Sequence, residues 1–216
     1  MSTDDAAVTV RQLLPCGGQA VLVQCRSIPE VLALADAVRR RFAPALVDVV
    51  PGAATLLVEH SVGTATDRAD LMSFLARATV RVDHDHPIGR LVEIPVSYDG
   101  DDLAAVARLC SVSPDEVVQA HLGQVWSVAF CGFSPGFAYL AGETDALRVP
   151  RRSSPRTAVP AGTVGLADGW SAVYPRTSPG GWQLIGRTTV SLWDHRASPP
   201  ALLSPGDRVR FTRVGP

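Results

Sequence analysis

The sequence predicts an α+β protein in two parts, a ferredoxin-like sandwich followed by a β-barrel. Two observations lead to this fold class. Strand-like and helix-like patterns alternate through the first 97 residues in the order β-α-β-β-α-β, which is the order of the split βαβ fold. From Gln124 onward the chain consists of short β-prone runs separated by Gly and Pro, as in a barrel. We place the domains at 1–92 and 93–216, with two short helices at 101–122.

Hydrophobic periodicity defines the elements of the first half. In the first predicted helix the apolar residues recur at helical spacing, and the run Arg39–Arg41 lies near the C-terminal end, where the helix dipole favours cations. A Pro-Gly break at Pro51 separates two β-prone runs that can form a hairpin. In chain order, the predicted elements are a strand at Gln19–Cys25, a helix at Pro29–Phe42, strands in ALVDVVPG and AATLLVEHS, a helix at Asp67–Ala78, and closing strands in TVRVDHD and LVEIPVSY.

The second half opens with two predicted helices, Asp101–Cys110 and Ser113–Leu122. In the latter, Ser113 is a candidate N-cap and Glu116 completes a capping box, with Pro114 in the first turn. The β-prone runs that follow are QVWSVAFCGF, TAVPAGTVGL, WSAVYP, GWQLIGRTTVSLWD and DRVRFTRV.

Composition excludes several classes of function. The formal net charge is −1, so the chain lacks the basic footprint of a nucleic-acid binder. Residues 1–120 contain 16 Asp/Glu and 10 Arg, whereas residues 121–216 contain 5 Asp/Glu and 10 Arg. The second part is therefore predicted to meet an anion or an acidic partner. The sequence has no Lys, which excludes a Schiff-base lysine and a P-loop lysine in this chain.

The N-terminal residues do not have the pattern of a signal peptide, and no apolar run approaches the roughly 20 residues of a membrane span. The four cysteines form no CxxC pair. We therefore expect a cytoplasmic protein with reduced thiols and no membrane partner. His84 and His86 can share one face of a strand, but no clear third ligand is nearby and Pro87 ends the segment, so we predict no metal site.

Three further features of the sequence are candidates for a catalytic or binding role. His121 closes a predicted helix, where it is either a cation at the C-terminus or a general acid or base. Four arginines at 148, 151, 152 and 156 are separated by prolines, which suits either a carboxylate or phosphate site or a solvated surface. In YPRTSPGGWQLIGRT, Gly180 and Gly181 permit a tight turn before Trp182 and Arg187. No nucleophile elbow, HExxH or GxGxxG motif is present.

Three motifs in order resemble one family. They are GFSPGFAYLAG at 132–142, VPRRSSPRTAVPAGTVGLA at 149–167 and SPGGWQLIGRT at 178–188, preceded by IPVSYDGDDLAAVARLCSVSPDEVVQAH and followed by ALLSPGDRVRF. The sequence resembles the allophanate hydrolase subunit 1 family, which includes the kinase inhibitor KipI and the B subunit of bacterial 5-oxoprolinase. The resemblance implies a cyclophilin-like β-barrel for the second domain. It also implies two partner proteins, the C subunit of that complex (an allophanate hydrolase subunit 2 protein) and its A subunit.

The family's motif positions give the candidate site residues. Among these motif positions, side-chain chemistry makes His121, Arg156 and Arg187 our candidates for catalysis. His121 would act in proton transfer, and the two arginines would hold a carboxylate or acyl-phosphate oxygen. We expect Phe137 and Tyr139 to form one side of a cleft and the two arginines the other. The candidate substrate-binding residues are Phe133, Pro135, Gly136, Phe137, Tyr139, Arg151, Pro160, Tyr174, Gly180, Gly181 and Trp182.

The function implied is that of the B subunit of an ATP-dependent 5-oxoprolinase, which opens the cyclic amide 5-oxoproline to glutamate together with the A and C subunits. Such a protein is expected to be inactive alone, with ATP at a shared or partner-supplied site. Two alternatives stay open, a KipI-like inhibitor of histidine kinase autophosphorylation and an amide-processing component of the allophanate hydrolase or urea carboxylase type.

Overall fold

The computed structural model describes residues 12–61, 65–77 and 89–215. The chain forms two compact units, Met1–His86 and Pro87–Pro216. In the described residues, no helix is both long enough and apolar enough to cross a membrane.

The described part of the first unit contains four strands, two α-helices and a short 3₁₀ helix at Ala43–Ala45. The strands and α-helices are β1 (Gln12–Cys16), β2 (Ala20–Gln24), α1 (Ile28–Phe42), β3 (Leu46–Pro51), β4 (Thr55–His60) and α2 (Ala65–Arg77). The strands form one antiparallel sheet in the order β1-β2-β4-β3.

The split βαβ arrangement predicted for this unit is confirmed. Strand β4 lies between β2 and β3 and is antiparallel to both, so β2 and β3 run parallel and α1 connects them. Alternate residues of β2 and β4 point to the helical side, where the α1 stripe packs against them. The buried residues that form this contact are Val21, Val23, Leu56, Val58, Val31, Leu34, Ala35 and Val38.

Two strand assignments differ from the predicted ones. Strand β1 was not predicted, and it pairs with β2 at the edge that the closing strand of a ferredoxin-like sheet would take. The segment LVEIPVSY does not close this sheet. It forms β5 (Leu91–Val96), which pairs in parallel with β13 (Arg208–Arg213) and buries Ile94 and Val96 in the second unit. The predicted strand TVRVDHD and its histidines, His84 and His86, lie outside the described residues.

Besides β5 and β13, the second unit contains α3 (Leu103–Cys110), α4 (Pro114–Leu122), β6 (Trp126–Cys131), β7 (Ala138–Ala141), β8 (Arg156–Val159), β9 (Thr163–Ala167), β10 (Trp170–Val173), β11 (Ser178–Gly180) and β12 (Gln183–Arg187). Seven of these strands form one sheet in the order β12-β9-β10-β7-β6-β13-β5. The two edges of this sheet meet where Ser97, after β5, and Arg187, in β12, exchange two backbone hydrogen bonds of 2.9 Å, so the sheet is a nearly closed barrel.

The capping box predicted for α4 is confirmed. The Ser113 Oγ accepts the Glu116 N–H at 3.3 Å, and the Glu116 carboxylate accepts the Ser113 N–H at 2.7 Å. Helices α3 and α4 pack with the barrel interior, whose largest fully buried side chains include Trp126, Phe211 and Ile94. Each such side chain contributes roughly 1.5–3 kcal/mol by leaving water.

Candidate functional site

An aromatic cluster on the barrel contains four of the candidate substrate-binding residues. The Phe137 ring meets Tyr174 at 5.4 Å and Trp182 at 5.7 Å between centroids, edge to face in both cases. All three side chains are buried, and Tyr139 packs beside them at 5.7 Å from Trp182. Edge-to-face aromatic pairs add about 0.5–1.5 kcal/mol each beyond their burial. The cluster is therefore stabilised both by burial and by the packing of its rings against one another.

The turn between β6 and β7 presents one aromatic ring to solvent. Phe133 has a left-handed φ of 70° and is 60% exposed, and its ring rests against Phe137 at 5.2 Å. Pro135 is exposed, and Gly136 has a φ of 81°. A Cβ on Gly136 would lie 2.9 Å from the Leu192 carbonyl oxygen, so this position requires glycine both for its conformation and for its packing.

A second turn adds Trp170, which was not among the candidate residues. Asp168 and Gly169 both have positive φ, 54° and 87°, and join β9 to β10 as a two-residue hairpin loop of the type I′ kind. The Asp168 carboxylate accepts a hydrogen bond from Arg151 Nε at 3.2 Å. Trp170 then meets Tyr139 edge-on at 6.1 Å. This pair of turn residues was the signal that could have located Trp170 beside the aromatic residues.

The Gly180-Gly181 pair lets two elements approach closely. A Cβ on Gly180 would collide with the Tyr174 hydroxyl. Gly180 pairs with Arg156 across β11 and β8, and the Gly181 carbonyl accepts the Arg152 N–H at 2.7 Å. These contacts place the arginine-rich segment next to the aromatic cluster.

Arg152 and Arg156 share one buried carboxylate, that of Asp102, whose side chain is 5% exposed. Arg152 Nη1 donates to Asp102 Oδ1 at 2.8 Å, and Arg156 Nη2 donates to the same oxygen at 3.0 Å. The other oxygen, Oδ2, accepts the Leu184 N–H at 2.8 Å. Arg156 Nη1 lies 2.9 Å from Oδ2, but it is not aligned for a hydrogen bond and is buried without a hydrogen-bond partner.

This network fixes the charge of Asp102. Burial alone would raise the pKa of its carboxyl, but the hydrogen bond from Arg156, the Leu184 N–H and the charges of both arginines outweigh burial and lower the pKa below its ordinary value. Asp102 is therefore ionised at neutral pH. Its negative charge balances one of the two positive charges of Arg152 and Arg156.

Arg187 lies apart from this network, in a small cleft at the seam of the barrel. Its Nη2 forms an ion pair of 2.6 Å with Asp99 Oδ2, and both side chains are solvent accessible. The cleft has a volume of about 160 Å³, and Asp101, Pro160 and Thr163 also line it. The Asp101 carboxylate is 4.0 Å from Arg156, so this acidic residue is the link between the cleft and the buried network.

His121 is buried in the barrel interior. Its Nδ1 forms a hydrogen bond of 2.8 Å with the Tyr98 hydroxyl, and its Nε2 one of 2.9 Å with Ser171 Oγ. Its ring also packs against Phe211 at 4.3 Å. Burial lowers the pKa of His121 to about 3, so the imidazole is neutral at physiological pH. One ring nitrogen therefore donates its hydrogen bond and the other accepts one.

The structure thus separates the candidates into four places. The aromatic residues form one cluster next to Gly180 and Gly181, and Arg156 belongs to a buried network beside it. Arg187 and Pro160 line the seam cleft, and His121 is buried in the barrel interior. A cleft with Phe137 and Tyr139 on one side and Arg156 and Arg187 on the other stays a prediction. Phe137 is only 2% exposed, and Arg187 forms an ion pair with Asp99.

Sequence reasoning missed the acidic residues of this region, Asp99, Asp101 and Asp102. They form a short acidic segment between β5 and α3. The available signal was that the two parts of the chain have opposite net charge. The excess of arginine in the second part predicts an external anion or acidic partner, but part of the opposite charge lies in this acidic segment.

The family model for the carboxyltransferase domain, subdomain C and D, matches residues 11–203. The chain therefore belongs to this family of carboxyltransferase-type proteins.

Its curated relatives include proteins named as the B subunit of 5-oxoprolinase. The one from Escherichia coli O157:H7 is 42% identical over 173 residues, which is 78% of this chain and 78% of that relative. The one from Bacillus subtilis (strain 168) is 46% identical over 128 residues, 58% of this chain and 53% of the relative, so the match spans about half of that protein. These similarities confirm the resemblance predicted from the three motifs.

Solved structures agree with the fold. The protein TTHA0988 is 36% identical with a TM-score of 0.76, and the match covers 92% of this chain and 40% of that one. The Kluyveromyces lactis urea carboxylase is 20% identical with a TM-score of 0.75, and the match covers 99% of this chain and 22% of that one. The second similarity concerns the fold alone, and it confirms the predicted α+β class with its barrel.

Proposed function

We propose that this chain is the B subunit of an ATP-dependent 5-oxoprolinase, a hydrolase complex that opens 5-oxoproline to glutamate together with the A and C subunits. The observation that carries the proposal is the 42% identity to the Escherichia coli relative of that name, over 78% of both chains. Because that relative is named as one subunit of an enzyme, it supports a heteromeric assembly for this chain as well.

The chemistry of the reaction sets what the complex must supply. An unstrained amide needs activation at its oxygen before water can open it, and phosphorylation by ATP supplies that activation. Phosphoryl transfer depends on positive groups held around the phosphate oxygens. In the described residues, Arg152 and Arg156 are already paired with Asp102, and the sequence has no lysine for a P-loop. We therefore assign ATP to a site that the partner proteins supply or share.

The residues of this chain fall into different roles in the proposal. Arg187 is the candidate for contact with the substrate, because its guanidinium borders a cleft and is solvent accessible. Arg156 is a positioning residue that holds the arginine-rich segment on Asp102. His121 has both ring nitrogens bonded inside the barrel, which supports an internal tether in place of the proton-transfer role expected from the sequence.

Reconstitution tests the proposal. The purified chain alone, the A and C subunits without it, and the complete set are each incubated with 5-oxoproline and ATP, and released glutamate and ADP are measured. We expect turnover only with the complete set. A complete, co-purifying set that leaves 5-oxoproline untouched would contradict the proposal. Inhibition of histidine kinase autophosphorylation by the chain, without any such turnover, would support the KipI-like alternative in its place.

A further inference from the structure

The cleft beside Arg187 carries charges of both signs. Arg187 is 73% exposed, Asp99 is 46% exposed and Asp101 is 82% exposed at the level of the side chain. The Arg156 guanidinium approaches Asp101 from the side of the buried network. A ligand that enters this cleft therefore meets a guanidinium and two carboxylates within one small volume.

The floor of the cleft is rigid. Ser97 and Arg187 exchange backbone hydrogen bonds, and the Gly100 N–H donates to the Ile185 carbonyl at 3.3 Å. Gly100 and Gly186 have no space for a Cβ, since each would collide with the backbone of the facing segment. The backbone that carries the charged groups is thus held in place before a ligand binds, which lowers the cost of binding.

The charged side chains, by contrast, can change partners at small cost. The pair of Arg187 and Asp99 is solvent accessible, and exposed ion pairs contribute little to stability. A ligand carboxylate can replace Asp99 at Arg187, where the planar guanidinium offers two parallel donors. Asp99 is then free to accept a cation together with Asp101.

We propose that this cleft is a subsite for an α-amino acid, with the ligand carboxylate on Arg187 and the ligand ammonium on Asp99 and Asp101. The identity of the ligand rests on the proposed function. Addition of one water across the amide bond of 5-oxoproline gives glutamate, and its new amine takes up a proton at neutral pH. The two carboxylates therefore distinguish the ring-opened product, which has an ammonium group, from the cyclic amide, which has none.

Binding of three probes to the full-length chain tests this subsite. The probes are L-glutamate, 5-oxo-L-proline and glutarate, which has the carboxylates of glutamate without its ammonium, and binding is measured by calorimetry and ligand-observed NMR. The variants are Arg187→Gln and Asp101→Asn. Arg176→Gln is the matched control, because Arg176 is exposed and does not line the cleft.

The two variants have different expected signatures. Arg187→Gln should weaken all three probes about tenfold or more, the effect of losing a hydrogen bond to a charged group. Asp101→Asn should weaken L-glutamate several-fold and leave glutarate and 5-oxo-L-proline unchanged. Arg176→Gln should bind all three probes as the unmodified chain does.

Three results would overturn the subsite: no binding of L-glutamate, equal binding of glutamate and glutarate to the unmodified chain, or an Arg187→Gln variant that binds normally. Failure of the subsite is separable from failure of the proposed function. If the complete set of three proteins hydrolyses 5-oxoproline but the chain does not bind the probes as predicted, the proposed function stands and the subsite is wrong. If the chain binds the probes as predicted but the complete set is inactive, the subsite stands and the proposed function is wrong.

Discussion

Replacement of Asp102 by Ala should destabilise the second unit more than any other loss of a charge in the acidic segment. The Asp102 carboxylate is 5% exposed and accepts hydrogen bonds from Arg152, Arg156 and the Leu184 N–H. Its removal leaves two guanidinium groups without their shared counterion and one buried N–H without an acceptor. Alanine adds no group that can take over any of these contacts.

The magnitude follows from how far each partner is from water. Breaking a fully buried ion pair costs roughly 3–5 kcal/mol, whereas an exposed pair contributes about 0–1 kcal/mol. The side chains of Arg152 and Arg156 are 36% and 22% exposed, so solvent compensates part of the loss and an intermediate value applies. With about 1 kcal/mol for the Leu184 N–H, we expect Asp102→Ala to lower the free energy of unfolding by about 3 kcal/mol.

Chemical denaturation at neutral pH measures this change, and a thermal scan should show a Tm lower by roughly 6–12 °C for a chain of this size. The effect also has a defined pH dependence. The folded-state pKa of Asp102 is lowered relative to the unfolded value of about 3.9, so its contribution is fully present above that value and is lost as the pH falls through the folded pKa. The difference between the unmodified chain and Asp102→Ala should therefore shrink below about pH 4.

The control is Asp101→Ala, one residue earlier, whose side chain is 82% exposed. It should change the free energy of unfolding by less than about 0.5 kcal/mol. Equal destabilisation by the two variants would refute the argument, because it would show that burial of the Asp102 network carries no energetic weight. A difference that persists unchanged to pH 2 would refute the assigned ionisation.

Three further substitutions test other parts of the structure. His121 has a pKa lowered to about 3, so its contribution to stability is complete above about pH 6.5 and falls as the pH drops. In the unmodified chain, the free energy of unfolding measured in urea should be about 2 kcal/mol lower at pH 5 than at pH 7, and His121→Gln should abolish this difference. The same pH dependence in the variant would contradict the buried, neutral imidazole. Gly162→Ala places a Cβ against the Thr188 carbonyl at a φ of 80°, and chemical denaturation should show a free energy of unfolding lower by about 2–3 kcal/mol. Gly206→Ala is the control, because φ there is 90° but the space is open, and it should lower the free energy of unfolding by about 1 kcal/mol. Phe133→Gly relieves a left-handed φ of 70° while removing an exposed ring, so unfolding should change by less than about 0.5 kcal/mol, and a loss above about 2 kcal/mol would instead make Phe133 a packing anchor.

Features that depend on neighbouring residues could be predicted from the sequence. The capping box at Ser113 and the apolar stripe of α1 are encoded within one or two helical turns, and the structure has both. The parallel pairing of β5 with β13 joins segments more than a hundred residues apart. An alternating pattern shows that one face of a strand is buried, but it does not name the strand beside it. For this reason LVEIPVSY was assigned to the wrong sheet.

The candidate site was predicted unevenly for a related reason. Motif glycines indicate that backbone approaches something closely, but only the structure shows that Gly180 faces the Tyr174 hydroxyl. The arginines were visible as a cluster in the sequence, whereas Asp102 is more than forty residues away from them. A side chain's partner decides whether it is available to a ligand, and that partner is set by the fold. Arg156 and Arg187 therefore differ in availability although their motifs looked alike.

The acidic segment also changes what the charge distribution implies about a ligand. The excess of arginine in residues 121–216 pointed to an anionic partner. The folded unit begins at Pro87, however, and residues 87–216 contain 11 Asp/Glu and 12 Arg, a net charge of only +1. A nearly neutral unit has no strong field to attract an anion from a distance. Recognition must then depend on local pairs, and the seam cleft presents Arg187 beside Asp99 and Asp101. Such an arrangement favours a ligand that is itself both cation and anion over a simple anion.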